Sequence, residues 1–408
     1  MSHALSDAAS SPGGFEPRLG DRTLFPDLEF RAYFAHAAIS PVSRPVRLMT
    51  ERFVADVARR GAASFLDWEQ ERRALRARFA TLLGVESHQV ALTAGTTHGI
   101  TALALALPLR AGDEIIGFLG EFPANVIPYQ KAIELAQAKL TLLEAPDPCA
   151  REGRARILKG VEARLRAGAR YVAVSAVQFQ TGYRMPLAEL GELCKRYDAF
   201  LLVDAIQAVG VVPLNAKELH FDALFVGAHK WLLGLEGAGM LFCSDRLRER
   251  LVPRTTGWLS LLDGEAFLFQ GANRLRYEGD LHPDARVFEG STSNAIGLAA
   301  LSAGLSICEA LGPAAIYQHV QGIHDALEEA LVPLGFRSLR AQEPDGRSCI
   351  LSFALPAGLA LPELARGLRE RGIMVSTPDG LLRFAPHFAN SLEEIPHVAA
   401  SFKELTGA

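Results

Sequence analysis

Two segments set the architecture of this chain: FLLVDAIQ over residues 200–207 and ALFVGAHKWLLG over residues 223–234. Each segment begins with an apolar run, and a charged side chain follows each run: Asp204 after the first and Lys230 shortly after the second. Near-continuous apolar runs are typical of parallel strands that are covered on both faces. A charge at the end of such a strand is costly unless it has a partner or a chemical use. The two segments therefore predict two buried strands with functional groups at their carboxyl ends, where ligands of open α/β sheets bind.

The rest of the chain extends this pattern. Helical patterns alternate with apolar runs, which predicts an α/β architecture with a mainly parallel sheet. A helix at residues 64–83 is predicted to end at Gly84, a typical stop signal. The other predicted strands lie at residues 90–93, 113–118, 171–177 and 239–243, and the helices between strands at 98–107, 124–138, 157–167 and 187–197.

The alternation changes after residue 290. Helical patterns at 295–311, 314–334 and 361–371, with short strands near 349–353, Met374 and Leu382, predict a smaller α+β domain. We therefore predict a large domain at residues 31–290 and a small C-terminal domain at 291–408. Residues 1–30 are rich in Ser, Gly, Pro and charge, which indicates either a flexible arm or an arm that packs on a partner subunit.

Composition excludes several classes of protein. The 408 residues carry 42 Lys+Arg against 46 Asp+Glu, a net charge of −4, so nothing in the charge balance favours nucleic acid or a membrane surface. Five scattered cysteines without a C-x-x-C pair predict neither a disulfide framework nor a zinc site, and no metal is predicted. No apolar run approaches the roughly 20 residues that span a bilayer, and the N-terminus lacks the pattern of a secretory signal. We predict a soluble, cytoplasmic protein.

Four predicted strand ends are followed by side chains that could take part in binding or catalysis. Gln207 follows Asp204, and Lys230 precedes a glycine-rich tail. Gly95 leads into Thr96 and Thr97 at a predicted helix start, where free N–H groups and hydroxyls could hold a phosphate. Phe122 follows another strand. Each feature alone has an ordinary explanation: a helix cap for Asp204 or the threonines, a lysine that reaches solvent, an aromatic in the core.

Together the four features fit one cofactor, pyridoxal phosphate. This cofactor needs a lysine for a Schiff base, and an acid that keeps its ring nitrogen protonated so that the ring can accept electrons. It also needs a phosphate cradle and a flat group against the ring. Lys230 and Asp204 lie on successive predicted strand ends and supply the two unusual groups.

Five motifs strengthen this interpretation. AGTTHGI (94–100), EFPANVIPYQ (121–130), LLVDAIQAVG (201–210), VGAHKWLLG (226–234) and FEGSTSN (288–294) resemble the class V aminotransferase family of pyridoxal-phosphate enzymes, in its cysteine desulfurase-like and isopenicillin N epimerase-like subgroup. The resemblance implies the pyridoxal-phosphate-dependent transferase fold, with a mainly parallel seven-stranded sheet in the large domain. It also implies a homodimer with active sites at the interface.

The resemblance also implies roles for single residues. Lys230 would form the Schiff base and then move the α-proton, while Asp204 would pair with the pyridinium nitrogen and Gln207 would hydrogen-bond the ring hydroxyl. Arg383 would clamp the substrate carboxylate, for which the alternative is a surface salt bridge. The remaining implied contacts are Thr96, Thr97 and His229 to the phosphate, Phe122 to the ring face, Thr292 to the partner subunit's phosphate, and His36 to the substrate.

The implied activity is that of a transferase or lyase. It would act on a small or modified α-amino acid through a Schiff base and a quinonoid intermediate, as an aminotransferase or a β- or C–S-lyase. An epimerase and a non-catalytic module that binds pyridoxal phosphate are the alternatives. A cysteine desulfurase is disfavoured, because the loop at residues 373–380 that precedes Arg383 contains no cysteine to accept sulfur.

Overall fold

The computed structural model describes residues 16–145, 147–150 and 152–407. Residues 1–15 of the predicted arm lie outside the described residues. The strands of the described chain are, in order, β1 Ala32–Tyr33, β2 Val90–Thr93, β3 Glu114–Phe118, β4 Lys139–Leu143, β5 Tyr171–Ser175, β6 Phe200–Asp204, β7 Ala223–Gly227, β8 Gly239–Cys243, β9 Arg337–Ser338, β10 Leu351–Ala354, β11 Ile373–Met374 and β12 Leu382–Phe384.

Thirteen α-helices account for more of the described chain than the strands do. Pattern and structure agree within a few residues for the predicted helices, and α2 ends at Gly84 in the left-handed region, with φ 70°. The helices are α1 Arg44–Arg60, α2 Phe65–Leu83, α3 Thr96–Ala106, α4 Ile127–Ala136, α5 Gly153–Arg166, α6 Leu187–Arg196, α7 Ala216–Leu219, α8 Asp245–Arg248, α9 Ala266–Phe269, α10 Ala295–Leu311, α11 Pro313–Leu331, α12 Leu361–Glu370 and α13 Ile395–Thr406.

A seven-stranded sheet organises the larger part of the molecule and confirms the predicted fold class. Its order is β2-β8-β7-β6-β5-β3-β4, and only β8 runs antiparallel to its neighbours. Strand β6 is buried on both faces, because successive side chains point to opposite sides of the sheet. Leu201 and Val203 join the core on one face, whereas Phe200 and Leu202 join the core on the other. Because β2 is also parallel to β7, the carboxyl ends of β2, β3, β5, β6 and β7 meet at one edge.

A second, three-stranded sheet of order β12-β10-β9 lies in the C-terminal part, where helices α11, α12 and α13 enclose a separate core rich in phenylalanine. The short strand β1 pairs with β11, which brings residues 32–33 against the C-terminal part. The helix α10, by contrast, buries Leu298, Leu301 and Leu305 in the core of the large sheet. The domain boundaries at residues 30 and 290 stay a prediction.

Two elements escaped the sequence analysis. Strand β4 lies at the edge of the sheet and is only partly buried, so it lacks the continuous apolar run of an inner strand. Helix α1 has five arginines in 17 residues, and only a narrow stripe with Val46 and Met49 packs against α10. Within the described part of the chain, no single helix is long and apolar enough to cross a membrane; α10 and the segment Pro313–Leu334 meet that test only as a pair, bent by 77°.

Candidate active site

A cavity of about 510 Å³ opens at the edge of the sheet where the five strand ends meet. The sequence predicted this edge from the order of charged and polar residues after each strand. Most of the predicted site residues line this one cavity: Thr96, Thr97, Phe122, Asp204, Gln207, His229, Lys230 and Arg383. Residues that lie far apart in the chain therefore share one space of the size expected for a small-molecule site.

Lys230 lies in the turn after β7, and hydrogen bonds from Ser40, which lies outside the sheet, hold the backbone of this turn. The Ser40 hydroxyl donates to the Lys230 carbonyl at 2.6 Å, and the Ser40 N–H donates to the His229 carbonyl at 2.8 Å. Burial lowers the pKa of the Lys230 amine, which Asp204 opposes and Arg383 reinforces. A lowered pKa makes more of the neutral amine, the form that attacks an aldehyde.

Asp204 ends β6 and is buried, with 3% of its surface exposed. Its Oδ1 accepts a hydrogen bond from the Ile206 N–H at 3.0 Å, and no Lys, Arg or His side chain of the described chain lies within ion-pair distance of it. Burial raises the pKa of this carboxyl group. A buried carboxyl without a cationic partner suits a ligand that brings its own positive charge.

The start of α3 forms the predicted cradle for a phosphate. Gly95 precedes the helix with φ 137°, a conformation that L-residues rarely adopt, and a Cβ on Gly239 would lie 2.7 Å from the Gly95 Cα. The Thr96 Oγ1 is buried and has no hydrogen-bond partner in the structure. The free N–H groups of the first turn and this unpartnered hydroxyl fit an anionic ligand.

Gln207 lines the cavity and is buried. Its Oε1 accepts from the Trp231 Nε1–H at 2.8 Å, and its Nε2 donates to the Ala37 carbonyl at 3.0 Å. These two bonds determine the orientation of the amide and leave one N–H of Nε2 for a ligand. That remaining donor fits the predicted contact to a ring hydroxyl.

Two aromatic rings form a wall of the cavity. The Lys230 Nζ lies 5.7 Å from the centroid of the Phe122 ring, and 46% of the Phe122 surface is exposed. The Phe179 ring meets Phe122 edge-on, with the centroids 5.2 Å apart. The face of Phe122 is therefore available to a flat ligand that occupies the space beside the lysine.

Arg383 on β12 lies at the end of the cavity that faces the C-terminal part. Its Nη1 donates to the Phe179 carbonyl at 2.5 Å, and its Nε donates to the Ser376 Oγ at 2.9 Å. Only 4% of its surface is exposed, and no carboxylate of the described chain pairs with it. Burial lowers the pKa of the guanidinium to about 10. The surface salt bridge that was the alternative for Arg383 is therefore wrong, and its free N–H groups are available to a carboxylate ligand.

Two predicted residues do not reach this cavity. Thr292 lines a neighbouring cavity of about 390 Å³ together with Thr255, Thr256 and Gly257. His36 is buried beneath the site: its Nδ1 lies 3.1 Å from the Ala385 carbonyl oxygen, and its ring packs against Trp231 and His387. The cavity wall there is formed by Ala37 and Ala38 instead. The roles of Thr292 and His36 stay predictions.

The sequence analysis missed a buried polar cluster directly behind the cavity. Glu121 follows β3, and its carboxylate accepts hydrogen bonds from Asn125, Ser175 and Gln178. The signal was present, because Glu121 follows an apolar strand as Asp204 does. Nothing in the sequence alone showed that its three partners converge on it.

The geometry can be compared with known proteins. A family model described as "Aminotransferase class-V" matches residues 32–389. The chain is 24% identical to the uncharacterized aminotransferase YcbU of Bacillus subtilis over 92% of this chain and 95% of that protein. It is 26% identical to a probable cysteine desulfurase of Pyrococcus abyssi over 91% of this chain and 94% of that protein.

Among solved structures, the fold is similar to that of the cystine C–S lyase C-DES. A mutant of C-DES with glycine covalently linked to its PLP cofactor superposes with a TM-score of 0.84 at 23% identity, over 95% of this chain and 99% of that chain. The complex of C-DES with its reaction product, cysteine persulfide, gives a TM-score of 0.82 at 22% identity, over 94% and 99% of the two chains. At these identities the likeness concerns the fold.

Proposed function

The chain belongs to the aminotransferase class-V family of pyridoxal-phosphate-dependent enzymes, and we propose that it acts on a small or modified α-amino acid as an aminotransferase or as a β- or C–S-lyase. The observation that carries the proposal is that Lys230 shares one cavity with two buried charged groups that have no ion-pair partner in the described chain. These are the Asp204 carboxyl and the Arg383 guanidinium, and both act electrostatically on the Lys230 amine.

The residues present fit pyridoxal phosphate. The unpartnered Thr96 hydroxyl and the first turn of α3, with Thr97 and His229, would hold its phosphate. Asp204, Gln207 and Phe122 would hold the ring nitrogen, the ring hydroxyl and a ring face. When bound, the cofactor withdraws electrons from the α-carbon of an amino acid attached to its aldehyde carbon.

The side chains of this protein perform the remaining tasks. Arg383 binds the substrate carboxylate with the N–H groups that Phe179 and Ser376 leave free. The Lys230 amine, with its lowered pKa, accepts the α-proton and returns it at a later step. Asp204 would hold a proton at the ring nitrogen, because the positive charge of that ring would stabilise its buried carboxylate.

The position of the cysteines supports a reaction other than persulfide transfer. The loop before Arg383 reads Ser376-Thr377-Pro378-Asp379-Gly380, and Pro378 lines the cavity. Cys349 is fully buried, its Sγ lies 3.5 Å from the Val211 carbonyl oxygen, and burial raises the pKa of its thiol. No cysteine of the described residues lines the cavity, so a desulfurase that uses a mobile thiolate remains disfavoured.

We also propose that the active unit is a homodimer in the cytoplasm. The segment at residues 258–277, which contains the short helix α9, exposes Trp258, Phe269, Leu275 and Tyr277, and 88% of the Tyr277 surface is accessible. Exposed aromatic and apolar residues in such density are typical of a subunit interface. The cavity beside this segment contains Thr292, which would face the partner subunit's phosphate.

Absorbance and mass spectrometry test the proposal. Protein purified with pyridoxal phosphate should absorb near ~420 nm and, after borohydride, carry a pyridoxyl group on the peptide that contains Lys230. Lys230→Ala should show neither the adduct nor turnover, and wild-type turnover in this variant would refute the assigned role. Assays of amino acids for pyruvate, ammonia, sulfide and keto-acid-dependent amino transfer then separate the lyase from the aminotransferase.

A further inference from the structure

Glu121 is a buried carboxylate that the catalytic assignments above leave without a role. Its Oε1 accepts from the Ser175 N–H at 2.8 Å and from the Gln178 Nε2 at 3.1 Å. Its Oε2 accepts from the Asn125 Nδ2 at 3.1 Å and from the Ser175 hydroxyl. Within the described chain, none of the ion pairs involves Glu121, so four neutral donors stabilise it.

The partners of Glu121 lead to three parts of the candidate site. Ser175 is the residue of β5 that lies opposite Asp204 of β6 in the sheet register. Gln178 precedes Phe179, whose carbonyl accepts the hydrogen bond from Arg383. Glu121 itself precedes Phe122, the ring beside Lys230. The Glu121 carboxylate is therefore linked to Phe122, to the residue opposite Asp204, and to the segment that binds Arg383.

The charged and titratable groups that face Glu121 are few. The pKa of Asp204 is raised by burial and, in addition, by the charge of Glu121. Tyr129 of α4 is buried with an unpartnered hydroxyl, and its pKa is raised by burial and by both carboxylates. Burial raises the pKa of Glu121 itself, against its four hydrogen bonds. A proton at Asp204 or its ligand reduces the repulsion between the two carboxylates.

We propose that Glu121 is a positioning residue that ties the ring end of the site to the Arg383 clamp and whose charge retains a proton between Asp204 and the cofactor's ring nitrogen. The proposal rests on the proposed function, because it takes the ligand beside Asp204 to be pyridoxal phosphate. The hydrogen bonds from Ser175 and Gln178 give Glu121 its positioning role. The proximity of Asp204 allows the charge of Glu121 to retain the proton.

Three substitutions separate the roles. Glu121→Gln removes the charge and keeps the shape, and the buried Asn125 Oδ1, which has no partner, can accept from the new amide after rotation of Asn125. Glu121→Ala removes all the hydrogen bonds of the carboxylate. Gln178→Leu removes only the hydrogen bond from the Gln178 amide, and with it the link from Glu121 to the segment that contains Phe179. The matched control is Glu114→Gln, a buried glutamate at the other end of β3 that pairs with Arg164 outside the site.

The readouts do not depend on turnover. The ¹⁵N chemical shift of ¹⁵N-labelled pyridoxal phosphate reports the proton on the ring nitrogen, and the change in cofactor absorbance reports the Kd of propionate, an unreactive carboxylate. In Glu121→Gln the ring nitrogen should lose its proton at a pH about one unit lower than in the wild type, while the propionate Kd stays within about twofold. In Glu121→Ala and Gln178→Leu the propionate Kd should rise about tenfold.

Glu114→Gln should alter neither readout and should only lower the Tm. The proposal is overturned if the ¹⁵N titration of Glu121→Gln matches the wild type, or if both Glu121→Ala and Gln178→Leu bind propionate as the wild type does. If Glu121→Ala does not fold, the propionate Kd of Gln178→Leu alone tests the positioning role. A wild-type protein without a bound ¹⁵N signal would refute the proposed function as well, whereas unchanged variants of a loaded protein refute only the role of Glu121.

Discussion

Replacement of Arg383 by methionine should abolish recognition of the carboxylate without weakening the fold. The guanidinium is buried and makes two hydrogen bonds, to the Phe179 carbonyl and the Ser376 hydroxyl. No carboxylate of the described chain offsets its charge. Methionine keeps much of the apolar volume of the arginine stem, so the substitution removes mainly the charge and the donors.

The magnitudes follow from these contacts. A bidentate pair with a carboxylate contains two charge-assisted hydrogen bonds of about 1.5–3 kcal/mol each, so kcat/KM should fall by about 10²-fold to 10⁴-fold. Burial lowers the pKa of the guanidinium to about 10 from an ordinary value of 12.5, which corresponds to a cost of about 3 kcal/mol for keeping the charge in the fold. The two internal hydrogen bonds that are lost also have a charged donor and contribute from about 1.5 kcal/mol each, which offsets the relief of this cost, so the Tm should change little.

The assay compares two substrates and two variants. We expect the loss in kcat/KM for the best amino acid of the screen and little loss for its α-carboxamide, which carries no negative charge. Arg164→Met is the control, because Arg164 pairs with the buried Glu114 outside the site; it should lower the stability of the fold and leave kcat/KM unchanged. The reasoning fails if Arg383→Met keeps kcat/KM within threefold, or if it destabilises the protein as much as Arg164→Met does.

Three further predictions concern single side chains. Thr96→Val should raise the Kd of pyridoxal phosphate about tenfold with an unchanged Tm, because its buried hydroxyl has no internal partner to lose; an unchanged Kd in equilibrium dialysis would exclude Thr96 from the cradle. His324 is buried with both ring nitrogens unpartnered, and burial lowers its pKa well below the ordinary value, so the unfolded chain takes up more protons than the fold as the pH falls below about 6.5. The Tm of His324→Leu minus that of the wild type should therefore grow between pH 7 and pH 5, and a constant difference would show that His324 does not contribute to acid sensitivity. Cys349→Ala should retain activity within about twofold, since its buried thiol lies outside the cavity, and complete loss would restore the desulfurase interpretation.

Much of the site could be predicted because its residues follow strands. A buried parallel strand must be almost entirely apolar, so a charge at its end, such as Asp204 or Lys230, stands out from the chain. The carboxyl ends of parallel strands share an edge, which places such residues together without knowledge of the strand order. The helix start at Thr96 was recognisable for a similar local reason, because glycine followed by hydroxyl residues marks a helix N-terminus.

Other features could not be predicted, because they arise between distant segments. Edge strand β4 is half-exposed and lacks the apolar signature, and α1 presents a narrow apolar stripe within a basic helix. His36 belongs to a motif that indicated the substrate, yet its ring packs under the site against Trp231 and His387. The segment that contains His36 does lie beside the cavity. Its backbone, however, places Ala37 and Ala38 in the cavity wall, so the neighbouring His36 side chain does not line the cavity.

The sequence alone was enough to identify the class of fold and to predict the edge of the sheet that carries the candidate site, with its lysine and its acid. Periodicity and burial are local properties of a chain, and local properties can be read from residues in order. It is the tertiary structure that buries Arg383 without a carboxylate partner in the described chain, orients Gln207 against Trp231, and brings Ser175 and Gln178 to Glu121. Each of these depends on hydrogen bonds between segments tens to hundreds of residues apart, and the need to satisfy buried polar groups acts on the folded chain alone.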